Sequence, residues 1–152
     1  MIQRIQSVYL LLVTILLGVT LCLPLGHFHA AANGLEEAAF RTLGVSAADG
    51  SGATTWGLFC ILLLSAIVSF VTIFLFRNRM LQVRMVIFSS LLIVGFYLVF
   101  GLFLYMLSEQ YLHGFGVAVP LCLPLICLIL NYLAFRAIYR DEVMVRAADR
   151  LR

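Results

Sequence analysis

Apolar residues in this chain come in four long blocks rather than in alternation. Val8 to Leu25, Trp56 to Phe76, Met85 to Leu107 and Val117 to Phe135 each run without an Asp, Glu, Lys or Arg. The blocks are about 18–23 residues long, and at about 1.5 Å per residue each is long enough to cross a hydrocarbon core roughly 30 Å thick. They are apolar all round, so each predicts a helix buried on every side. A soluble chain this short cannot bury four such helices. A β-barrel calls for strands of about ten residues with alternating character, and that pattern is absent. The expected fold class is therefore an all-α membrane protein. It has four transmembrane helices in two antiparallel hairpins, within a single domain over residues 1–152 that ends in an amphipathic helix over 136–152.

Polar residues punctuate the blocks. Arg77-Asn78-Arg79-Met80-Leu81-Gln82-Val83-Arg84 is a basic turn between the second and third blocks. Pro24 ends the first block, and Pro120 and Pro124 loosen the start of the fourth, since each removes a backbone donor. Within the longest polar segment, Asn33 to Gly44 reads as a short helix with Asn33 as its cap and Gly44 as its stop. Leu35, Ala39 and Leu43 would share a face of that helix, and Glu37 would pair with Arg41. Ala47 to Thr55 reads as a flexible lead into Trp56, an aromatic at the interface. The first block is too long for a signal-peptide core of about 7–15 residues, so it is expected to be retained.

Composition supports the same picture. The chain is 64% hydrophobic and 11% charged, well short of the quarter charged expected of a soluble domain. All ten cations are arginine. Nine of them, at positions 4, 77, 79, 84, 136, 140, 146, 150 and 152, flank the blocks on one predicted side, and Arg41 alone lies on the other. Positive charge near span ends stays cytoplasmic. Both termini and the basic turn are thus expected inside, with the first and third connections outside, in the periplasm of a Gram-negative cell.

Polar side chains inside the blocks predict helix packing. Ser65, Ser69 and Thr72 lie along one stripe of the second block, and Gly95 and Gly101 mark the third. Asn131, the one amide within a block, is expected to bond across helices. Tyr97, Gly101 and Tyr105 recur at spacing four and form a second candidate face, for a lipid or another hydrophobic ligand. After Phe135, Val143, Met144, Ala147, Ala148 and Leu151 form an apolar face bordered by charge. Arg140, Val143, Met144, Arg146, Ala147, Arg150 and Leu151 are the candidate partner-binding residues.

Both ends of the chain resemble a known family. Met1-Ile2-Gln3-Arg4-Ile5-Gln6 followed by Tyr9-Leu10-Leu11-Leu12 resembles the opening of four-span Bacteroidota membrane proteins grouped as domain of unknown function four-two-nine-three. Asn131-Tyr132-Leu133-Ala134, Arg136-Ala137-Ile138, Asp141-Glu142 and the closing Val145-Arg146-Ala147-Ala148-Asp149-Arg150-Leu151-Arg152 are similar to that family's ending. The resemblance implies four spans in an inner membrane, and it implies no activity.

The chemistry on offer is thin. Cys22, Cys60, Cys122 and Cys127 all fall within blocks, and the first three lie near the outer ends. Cys122 and Cys127 are five apart, not in the Cys-x-x-Cys spacing that tunes thiol reactivity. His27, His29 and His113 are predicted outside, where with Glu36, Glu37 or Glu109 they could ligate a metal, but a lone His-x-His is weak. No block carries a charge at depth, which argues against ion transport. No catalytic or phosphate-binding motif is present, so no cofactor is expected. The arginines are used as flanks, which argues against nucleic acid. The leading expectation is a non-enzymatic inner-membrane protein that lies among lipids and other membrane subunits as an accessory part of a larger complex. The alternatives are a periplasm-facing thiol-redox enzyme and a lipid or hydrophobic-ligand binder.

Overall fold

In the computed structural model, residues 3–29, 37–46, 55–75, 78–108 and 115–150 are described. Four helices carry the fold: α1 (Gln3–Cys22), α2 (Trp56–Phe74), α3 (Arg79–Ser108) and α4 (Leu123–Arg150). Three of them hold stretches long and apolar enough to cross a membrane, Trp56–Phe74, Met80–Met106 and Val119–Asp141. The 20 residues of α1 rise about 30 Å, and its apolar part is Gln6–Cys22. Each helix packs against its neighbour in the sequence, and α4 returns to α1, so the four close into a ring. The early part of α1, the end of α2, the start of α3 and the later part of α4 meet in one cluster around Leu10, Val86, Ala134 and Ile138, and this end of the bundle is here called the terminal end. At the α2–α3 turn the Asn78 carbonyl accepts the first backbone bond of α3, from Gln82 N–H at 3.0 Å, as a helix cap does.

The expected four-helix class is observed, with different bounds. The apolar span expected over about 117–135 is found over Val119–Asp141, with a 3₁₀ segment leading into α4 at Leu123. Pro120 occupies the first turn of a 3₁₀ segment, Val119–Cys122, and Pro124 is the second residue of α4. Proline fits a first turn, where no partner carbonyl awaits its missing N–H. From there α4 runs unbroken to Arg150.

The helix expected over Asn33 to Gly44 is corrected. Glu37–Arg41 is a strand (β2), Thr42 and Leu43 form a turn, and Gly44–Ser46 is a second strand (β3). They join β1 (Gly26–His29) and β4 (Phe115–Val117) in an antiparallel sheet of order β3-β2-β1-β4. The register sets Phe28 opposite Ala38, Phe40 opposite Val45 and Gly26 opposite Val117. A lone helix of ten or so residues is marginal in water, whereas a sheet built from both connections satisfies these backbone groups from distant strands. The proposed Glu37–Arg41 helical pair goes with the helix. Residues 30–36 and the proposed flexible lead over 47–54 lie outside the described residues.

The sheet is tied to the bundle. Thr42 Oγ1 donates to Leu21 O at 3.2 Å, and Thr55 Oγ1 lies 3.1 Å from both Arg41 O and Thr42 O. Ala118 N–H bonds Leu25 O at 3.2 Å. Both threonines are fully buried. The end of α1, the start of α2 and the β2–β3 turn thus meet at two hydroxyls.

Two apolar cores fill the ring. Toward the sheet lie Val13, Leu17, Leu58, Leu62, Ile93, Phe96, Phe100 and Cys127. Toward the terminal end lie Leu10, Val86, Ala134 and Ile138. Outside, large apolar side chains such as Ile15, Leu64, Phe70, Leu91, Leu98 and Ile129 stand exposed all round the ring. Contiguous apolar surface of this kind marks an interaction or membrane face rather than an ordinary soluble exterior, and it is compatible with a membrane protein.

Candidate functional site

Between the two cores lies a polar layer. Ser89 of α3 is its hub: its Oγ is 2.9 Å from Ser69 Oγ, 3.4 Å from Ser65 Oγ, and accepts Asn131 Nδ2–H at 3.2 Å. A hydroxyl has one donor and two acceptor sites. With one acceptor used by Asn131, one donor and one acceptor remain for the two α2 serines, so Ser89 is saturated. All four side chains are buried. Asn131 Oδ1 is buried without a hydrogen-bond partner. The layer sits about 7.5 Å from Arg84 along α3 and the same from Arg136 along α4.

The other predicted packing residues fare differently. Thr72 is buried, but its hydroxyl donates to Val68 O of its own helix at 2.6 Å. Thr14, Thr20 and Ser90 do the same one turn back, which satisfies a hydroxyl that finds no water in hydrocarbon. Gly95 is half-buried and Gly101 exposed. A Cβ added at either would meet nothing within 4 Å, because this side of α3 turns out of the ring beside exposed Val94, Leu98 and Leu102. The Tyr97, Gly101 and Tyr105 set is also divided. Tyr97 OH turns in to donate to Leu121 O at 2.8 Å, with its ring edge-on to Phe96, while Gly101 and Tyr105 face outward.

The thiols spread over four elements, α1, α2, the 3₁₀ segment and α4. Cys22, Cys60 and Cys122 are free and exposed, and Cys127 is buried with its Sγ 3.8 Å from Val13 O. His27 and His29 lie in β1, in register with Ala39 and Glu37, and His113 lies outside the described residues. Among the described residues no three His, Cys, Asp or Glu side chains are placed to hold a metal ion.

At the terminal end, α1 and α4 flank a groove of about 580 Å³, lined by Tyr9, Leu133, Arg136, Ala137, Arg140, Asp141 and Met144. The 3.6-residue repeat brings Arg136, Arg140 and Met144 onto one strip of α4, and Tyr9 closes the α1 side. Arg136 and Arg140 are exposed. Two of the predicted partner-binding residues, Arg140 and Met144, therefore belong to this groove, and Val143 is exposed on α4 close by. Arg146, Ala147 and Arg150 lie on the last turns of α4 with side chains outside the described set, as is Leu151 altogether. Sequence reasoning missed Ser89, Tyr9 and Arg136 as site residues. The adjacent Ser89-Ser90 in an otherwise apolar block was the available signal for the first; the meeting of α1 with α4 had none.

An antiparallel ring of four apolar helices with an apolar outer belt, a buried serine–asparagine layer and a basic groove at one end defines a small helical-bundle membrane protein. A family model described as Domain of unknown function (DUF4293) matches residues 2–151, and the chain belongs to that family. No curated protein matches the chain.

Proposed function

We propose that this chain is a non-enzymatic protein of the bacterial inner membrane, an accessory or structural subunit of a larger membrane complex. Both termini and the α2–α3 turn face the cytoplasm, and the sheet faces the periplasm. The observation that carries the reading is the outward side of α3. Gly95 and Gly101 have open space where a side chain would stand. A helix-interior glycine costs about 1 kcal/mol relative to alanine, and among the described residues no close contact at that position offsets it. In membranes, small residues at such positions let a second helix approach closely. The α3 face would receive a helix of a partner subunit, and the end of α4, with Arg140, Val143, Met144, Arg146, Ala147, Arg150 and Leu151, would reach a partner beyond the bilayer.

The test is purification in mild detergent followed by native mass measurement. A stoichiometric partner is expected with the wild type, and Gly101→Leu should release it while leaving the thermal unfolding of the chain itself unchanged. A wild-type chain recovered alone contradicts the reading, as does a partner retained by Gly101→Leu.

A further inference from the structure

We infer that the groove between α1 and α4 is a binding site for one anionic phospholipid, its phosphate held by Arg136 and Arg140. The groove volume of about 580 Å³ falls within the range of small-molecule sites, about 300–1,000 Å³. Its charged lining is two guanidiniums and the Asp141 carboxylate, which leaves one positive charge to be met. A singly anionic headgroup neutralises it; a zwitterionic one does not. Guanidinium forks match phosphate oxygens in pairs, and Arg136 and Arg140 stand one turn apart on the same strip of α4. The depth is also right. Leu133 lies one turn toward the membrane centre from Ala137, so an acyl chain leaving the phosphate runs directly onto the exposed apolar belt of α4. Tyr9, with an apolar ring and a polar tip, suits the headgroup level. Basic pockets between helices at a membrane edge select anionic headgroups by this combination. The carboxylate of Asp141 in the same lining disfavours a second anion there. The inference needs the chain to lie in a bilayer but no protein partner, so it stands or falls apart from the subunit reading.

The experiment uses the delipidated full-length chain in detergent, titrated with phosphatidylglycerol or phosphatidylethanolamine of identical acyl chains and followed by native mass spectrometry. The wild type should take up one phosphatidylglycerol with an affinity on the order of tenfold above that for phosphatidylethanolamine, the scale set by two arginines at a membrane surface. The double variant Arg136→Gln with Arg140→Gln should bring the two lipids to parity, and Arg84→Gln, a cation outside the groove, should leave the preference in place. Met144→Trp, which fills the groove and keeps both arginines, should also abolish the preference, and it serves if the double variant does not fold. Equal uptake of the two lipids by the wild type would overturn the inference. So would a preference that survives Met144→Trp, or one lost equally with Arg84→Gln, which would mark a diffuse attraction. A dimer of the chain that forms in place of lipid uptake would assign the groove to a second copy and overturn it too.

Discussion

Ser89 shows how one hydroxyl organises three helices. Its hydroxyl accepts from Asn131 and shares hydrogen bonds with Ser65 and Ser69, while its neighbour Ser90 donates to Val86 O one turn back. In sequence the two serines are indistinguishable. Their roles separate only when the rotation of α3 points one inward and the other to the side. Replacing Ser89 by alanine should therefore destabilise the detergent-solubilised protein by about 1–3 kcal/mol, the scale of lost interhelical bonds with a buried amide left short. Ser90→Ala should cost well under 1 kcal/mol, since only a local bond is lost. Denaturant unfolding of the two variants side by side checks this; equal losses would contradict the hub assignment. Glycine teaches the opposite lesson. Gly95 and Gly101 read as packing positions by residue type, and among the described residues nothing of this chain lies within 4 Å of a Cβ at either, because spacing within one helix cannot say which face meets the bundle.

Helices were legible wherever an apolar run was long enough, since length and the absence of charge decide a membrane span without reference to the rest of the chain. Strands were not. β2 carries Glu37-Ala38-Ala39-Phe40-Arg41, residues of good helix propensity apart from the aromatic, and only pairing with β1 and β3 makes it extended. β1 in turn pairs with β4, whose residues arrive nearly ninety positions later. Such non-local pairing overrides a weak local preference. The 3₁₀ segment Val119–Cys122 that opens this span was not legible either, because proline positions mark the neighbourhood of a helix start and not the form of its first turn. Hydrogen exchange gives the element-scale prediction. The Ala118 amide, bonded to Leu25 O, should exchange at least about tenfold more slowly than an unstructured amide, as a paired one does. Exchange at the unstructured rate would remove β4 from the sheet.

At the scale of the whole molecule, the chain sorts its chemistry by end. The sheet end gathers both connections into one layer with the exposed thiols of Cys22, Cys60 and Cys122 near it in sequence. The terminal end carries Arg84, Arg136 and Arg140 among the described residues, and the ring between is apolar outside and filled inside by two cores with a polar layer between them. That division was visible in the sequence as charge placement, because arginines at the ends of apolar runs are a signal in their own right. The groove at the terminal end was not visible, since it needs Tyr9 and Arg136 side by side across more than 120 residues of chain. The account rests on the bundle crossing a bilayer with its two ends on opposite sides. Single cysteines on a background with Cys22, Cys60, Cys122 and Cys127 replaced by serine or alanine test this directly. One is placed at Leu43 in the sheet turn and another at Val143 on α4, both exposed. A membrane-impermeant maleimide should label the Leu43→Cys chain once the outer barrier is open, and the Val143→Cys chain only after the inner membrane is disrupted; labelling of both from the same side would contradict the bundle as described.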